Sequence, residues 1–142
     1  KQPVQFNRNI VNKIVLETSL RQPIVLLKNS AGEWSAVEPV DKNVSTQTIN
    51  SIYGISRFLL INRVMTFEPT GDDLDEYGLD EPNVTISFYN GSQLLTTINY
   101  GTTFTTDLPN TYVQTNMSPL IFLTNARISS TINTIYESLF GS

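Results

Sequence analysis

The residues best equipped for chemistry are a run of carboxylates: Asp72, Asp73, Asp75, Glu76, Asp80 and Glu81. Clustered carboxylates can hold calcium, and Asp73, Asp75 and Gly78 fall at positions one, three and six of a calcium-binding loop. Position five is then Tyr77 and position twelve is Val84, where the loop requires a bidentate carboxylate. The spacing therefore fails. The stretch reads instead as an acidic helix start or a solvated turn, where carboxylates favour the helix dipole. Two facing carboxylates could also hydrolyse a glycosidic bond, so a two-carboxylate hydrolase stands as the least favoured of three functional readings. A Ser-Lys mechanism finds no support, because no Ser-x-x-Lys spacing occurs.

The composition narrows the chemistry further. The chain contains no cysteine and no histidine. Disulfides, thiolate nucleophiles, imidazole or thiolate metal sites and imidazole-based triads are thereby excluded. No enzyme and no cofactor are expected. The net charge is −4 and the nine basic residues are scattered, which argues against a nucleic-acid partner, since such partners need clustered cations. At 142 residues, with 39% of them hydrophobic and 15% charged, the chain can bury a core of its own. It is expected to be one domain, 1–142, and a fragment of something longer, with any membrane contact made only through a missing anchor segment.

The elements that must position these residues follow from periodicity. Residues 10–18 alternate, with Ile10, Ile14 and Leu16 on one face, as in a half-buried strand. Residues 24–27 are apolar on both faces and predict a central strand. Glu33 to Val37 form a third strand, stopped by Pro39. A helix follows, capped by Ser45 and presenting Ile49, Ile52, Tyr53 and Leu59. Beyond the acidic connector, 68–82, Val84, Ile86 and Phe88 alternate, and Asn90-Gly91 predicts a hairpin turn. Leu94 to Tyr100 return, residues 101–110 read as a polar loop, and a second hairpin turns near Asn116 and Pro119. Ile128, Ile132, Ile135, Tyr136, Leu139 and Phe140 mark a last helix that stops at Gly141, with Thr124 or Asn125 as its cap.

One phrase occurs twice. Thr48-Ile49-Asn50-Ser51-Ile52-Tyr53 returns as Thr131-Ile132-Asn133-Thr134-Ile135-Tyr136. This predicts an α+β fold of two repeated strands-then-helix units, about 10–62 and 83–141, each an antiparallel meander sheet with one helix packed on it.

A wider pattern emerges from Trp34 in a strand, Glu38-Pro39-Val40, Leu74 through Tyr77-Gly78-Leu79 to Pro82, Val84-Thr85-Ile86, Tyr100-Gly101 and Tyr112-Val113. It resembles the bacterial domain-of-unknown-function family numbered 4340, over roughly residues 11–140. The chain departs at Tyr100-Gly101, where that family usually has isoleucine-glycine, and in the Thr-rich stretch that follows. The resemblance implies an extracytoplasmic, membrane-anchored companion of gliding-type ABC transporters. It carries over no catalytic or ligand residue.

The leading functional expectation is therefore a non-catalytic extracytoplasmic accessory or protein-interaction module. Its partner would be a transporter component or a neighbouring subunit. The alternative is a small-ligand or glycan-binding module that uses exposed aromatics. Phe104 and Leu108, two large apolar residues in the expected 101–110 loop, are the candidate interaction residues. Folding of Phe104 back onto the sheet is the competing possibility. Trp34, Tyr77, Gly78, Leu79 and Pro82 are read as structural. Trp34 and Tyr77 are expected to be buried, with sugar stacking on Trp34 and recognition by Tyr77 and Leu79 as the alternatives.

Overall fold

The computed structural model describes residues 7–19, 21–38, 41–57, 61–66, 68–105, 109–116, 118–124 and 128–140. After a 3-10 turn (Arg8–Ile10) come β1 (Lys13–Thr18), β2 (Ile24–Lys28), β3 (Trp34–Glu38), β4 (Lys42–Val44) and α1 (Thr46–Arg57). They are followed by β5 (Ile61–Thr66), α2 (Gly71–Glu76), β6 (Val84–Asn90), β7 (Gln93–Thr105), β8 (Pro109–Thr115), β9 (Ser118–Thr124) and α3 (Ile128–Phe140).

The strands make one antiparallel sheet of nine, in the order β4-β3-β2-β1-β6-β7-β8-β9-β5. This overturns the expectation of two repeated strands-then-helix units with separate sheets. β1 pairs with β6 from Lys13↔Tyr89 to Thr18↔Val84 and fuses the two runs of strands. The helices α1 and α3 do not serve separate sheets either; they touch each other and share one core. The reason is the area available for burial. Two halves of fewer than about 60 residues each would bury a smaller share of their surface than one joined body does.

Register fixes which residues reach that core. Ile24 faces Leu16, Leu16 faces Ile86 and Ile86 faces Ile98 across four neighbouring strands. Leu26, Ile14 and Phe88 form the adjacent row. All of these are buried, as are Ala36, Tyr100, Val113 and Phe122 on the same inner face. The helices cover this face with Ile49, Ile52 and Tyr53 from α1 and Ile128, Ile132, Ile135, Tyr136 and Leu139 from α3. The Tyr53 ring stacks on Phe88 at 5.5 Å. Tyr100 donates its hydroxyl to the Ile55 carbonyl (3.2 Å), and Tyr136 donates to the Gln22 carbonyl (2.8 Å). Ser45 caps α1 by accepting from Thr48 N at 3.1 Å. Lys42 Nζ donates to the Leu139 carbonyl at 2.6 Å, placing a cation at the negative end of α3.

Several local expectations change. Ile10 lies in the 3-10 turn and is exposed, so the first strand begins at Lys13. Trp34 and Tyr77 are half-buried, and Phe140 is exposed. The β6–β7 turn is centred one residue later than expected: Asn90 pairs with Gln93, leaving Gly91-Ser92 as the two loop residues. Only Gly91 has positive φ there, 62°, which suits glycine at the first central position of a II′-type hairpin. The stretch read as a loop, 101–110, is mostly strand, with β7 running to Thr105 and β8 starting at Pro109. Threonine is a good strand former, and Thr103 and Thr111 pair across β7 and β8 with their hydroxyls 2.8 Å apart. Leu59, Asn125 and Gly141 lie outside the described residues.

Candidate functional site

The two ends of the sheet's outer face are treated differently. Across β7–β9 the face is covered by the connector. Thr70 opens α2 with a capping box, accepting from Asp73 N while Asp73 accepts from Thr70 N at 2.9 Å. Asp73 is thus occupied with starting a helix. Among the described residues no group of three carboxylates converges on a metal position.

After α2 the chain turns at Gly78, with φ 73°, where a side chain is strained. Tyr77 stacks on Tyr112 of β8 at 4.4 Å, and its carbonyl accepts from Thr102 N at 2.9 Å. That donor is free because β7 bulges: Tyr100 pairs with Val113 but Thr103 pairs with Thr111. The extra residue leaves an N–H outside the ladder, and the connector takes it. Two glycines permit the approach. A Cβ on Gly101 would collide with the Tyr77 carbonyl oxygen, and one on Gly78 would collide with the Thr102 hydroxyl. Leu79 of this strap is buried, as are Ile121 and Leu123 of β9, and all three lie outside the main core cluster. Tyr77, Gly78 and Leu79 are thus a clasp that fastens the connector to the bulge, with half-buried Pro82 just before β6.

Across β1–β3 the outer face carries no such cover among the described residues. Val15 pairs with Val25, and both are half-buried. Leu27 is 39% exposed and Val37, at the bulge opposite Val25, is 37% exposed. Lys13, Glu17 and Glu38 surround these four, and Lys13 lies 4.8 Å from the centre of the Tyr89 ring. An apolar centre with a charged rim is the anatomy of a protein contact surface. The sequence reads β2 as a central strand because it is apolar on both faces, and β1 and β3 do flank it. Its second apolar row, Val25 and Leu27, is the surface patch. That row was the available signal: apolar residues on both faces, without a second layer of helices in the sequence to cover one of them.

The calls for an interaction loop fall partly outside the structure. Leu108 lies outside the described residues. Phe104 has its backbone in β7, opposite Asn110, and its side chain is not among those described. Trp34 sits on the inner-face register, paired with Val44, at the β4 end of the sheet. It lines two adjoining cavities, of about 400 and about 240 Å3. The smaller is also lined by Arg8, Lys28 and Tyr53. Arg8 packs its guanidinium 4.1 Å from the centre of the Tyr53 ring and donates to Asn50 Oδ1 at 2.9 Å. Burial pushes the Tyr53 hydroxyl up to about 12, against the opposing pull of Arg8, so the ring is neutral at physiological pH. Nothing in the sequence spacing linked Arg8 to Tyr53, because a contact across 45 positions leaves no periodic trace.

Comparison of the chain with protein-family models, with curated proteins and with solved structures finds no match in any of the three.

Proposed function

We propose that this chain is a non-catalytic extracytoplasmic interaction module, an accessory to a membrane ABC transporter, that docks a protein subunit on the outer face of β1–β3. The observation that carries this reading is the open apolar patch of Val15, Val25, Leu27 and Val37 within a charged rim. The opposite end of the same face is closed by its own connector. The transporter and the extracytoplasmic setting rest on the sequence resemblance carried by Trp34, Tyr77-Gly78-Leu79 and Pro82.

The test pairs the intact chain with a purified gliding-type ABC transporter, the proposed partner. Leu27→Glu combined with Val37→Thr removes the apolar centre. Glu at 27 would face Lys13 across β1, an opposite-charge pair that offsets part of the lost strand preference. The expected result is transporter binding by the wild type and at least about ten-fold weaker binding by the variant, with an unchanged melting temperature. Equal binding by both, or none by the wild type, contradicts the reading.

A further inference from the structure

We propose that the cleft around Trp34 binds an acidic sugar, a uronic-acid unit of an oligosaccharide, with its ring against the Trp34 indole and its carboxylate between Arg8 and Lys28. This goes beyond the protein-docking reading and stands apart from it. Trp34 belongs to the inner-face register and the docking patch lies on the outer face.

The cleft has two lobes of different chemistry. The smaller is lined by Arg8, Lys28, Asn9, Trp34 and Tyr53, with no carboxylate among its described residues. Both cations are held there by neutral groups. Arg8 rests on Tyr53 and donates to Asn50 Oδ1, while Lys28 Nζ lies 3.4 Å from the Asn9 carbonyl and 5.9 Å from the centre of the Trp34 ring. A guanidinium has five N–H donors and an ammonium three, so each retains donors for an anion. Fixing Arg8 on an aromatic face also lowers the entropy lost when it binds.

The larger lobe is polar and close to neutral in its donors. Asn29, Ser45 and Thr46 line it beside Trp34, while Ser35 and Asn43 pair with each other on the opposite, outer-face register. Glu33, the carboxylate among its described lining residues, already accepts from Asn29 Nδ2 at 3.2 Å. The hydroxyl residues Ser45 and Thr46 beside an aromatic side chain match the hydroxyl-rimmed, C–H-faced surface of a pyranose ring. At about 400 Å3 the larger lobe lies in the lower range of small-ligand sites, and the adjoining one adds about 240 Å3. A bare inorganic anion would use the cations but leave Trp34 and the Ser45 and Thr46 hydroxyls without a role. A neutral sugar would leave the paired cations without one. An acidic sugar uses both.

Trp34 is the only tryptophan in the chain, so its fluorescence reports this cleft alone. The intact protein is titrated with tri-galacturonic acid, its fully methyl-esterified form and inorganic phosphate. The expected result is a saturable fluorescence change with the acid and none with the ester or with phosphate. Arg8→Gln and Lys28→Gln should each weaken binding about ten-fold, the loss of one charge-assisted contact. Arg21→Gln should leave it unchanged, because Arg21 sits over Tyr136 beside a different cavity. Calorimetry with Trp34→Ala, which removes the reporter, should show binding lost. The proposal is overturned by no saturable response up to about 10 mM, beyond the millimolar limit of useful affinity. It is overturned equally by ester or phosphate binding as well as the acid, or by Arg21→Gln weakening binding as much as Arg8→Gln.

Discussion

The outer face of the sheet holds two solutions to the same problem. An antiparallel sheet with helices on one side leaves its other side to solvent. Over β7–β9 the chain covers that side itself: Tyr77 lies on Tyr112, the Tyr77 carbonyl takes the bulge N–H of Thr102, and Leu79 is buried. Over β1–β3 it leaves Val15, Val25, Leu27 and Val37 in the open. The covered end is built from features that tolerate no change: two glycines in backbone contact and a bulge in register with them. The open end contains no glycine contact and no strained φ among its strands. Rigid, self-satisfied packing stands at one end and open apolar surface at the other, and the proposed function assigns recognition to the second.

That contrast can be broken by substitution. The largest effect is expected for Leu79→Ala, about 2–4 kcal/mol of lost stability by denaturant titration, because this connector side chain is buried. A loss under about 0.5 kcal/mol, typical of a surface site, would mean that the connector is not a structural cover. Gly101→Ala should follow at about 1–3 kcal/mol, since its new methyl meets the backbone of Tyr77 and Gly78, which cannot rotate away. Tyr112→Leu, which keeps apolar bulk but removes the stack on Tyr77, should cost about 0.5–1.5 kcal/mol. Gly54→Ala supplies the control of opposite sign. A Cβ there meets nothing within 4 Å, so restoring a better helix former to α1 should stabilise by about 0.5–1 kcal/mol. At the open end, Leu27→Thr should change stability by less than about 0.5 kcal/mol; a cost as large as that of Leu79→Ala would show that the patch is covered.

The sequence made the periodic parts legible. Strands β1, β2, β3 and β6 and both long helices follow from alternation and helical spacing, and the capping bond of Ser45 sits where the residue type placed it. What it could not show was who pairs with whom. The β1–β6 ladder joins Lys13 to Tyr89 and Thr18 to Val84, and no local pattern encodes a partner some 70 positions away. The repeated phrase misled for a related reason. It marks two helix faces with matching burial, Ile52 with Ile135 and Tyr53 with Tyr136, but a six-residue phrase fixes a face and not the sheet beneath it. The end of β7, 101–105, reads as a loop because small polar residues suit both states. The clasp was half-legible. Gly78 advertised an unusual backbone, while its opposite number, Gly101, gains meaning only once the bulge brings the two together.

The central claim is that recognition belongs to the open end and not to the covered one. Hydroxyl-radical footprinting of the intact chain, alone and mixed with the transporter proposed as its partner, reads side-chain exposure at both ends in one experiment. The account predicts that Leu27 and Val37 lose reactivity on binding, while Tyr77, Tyr112 and the exposed Phe140 of α3 keep theirs. Protection at Tyr77 and Tyr112 with Leu27 and Val37 unchanged would contradict it.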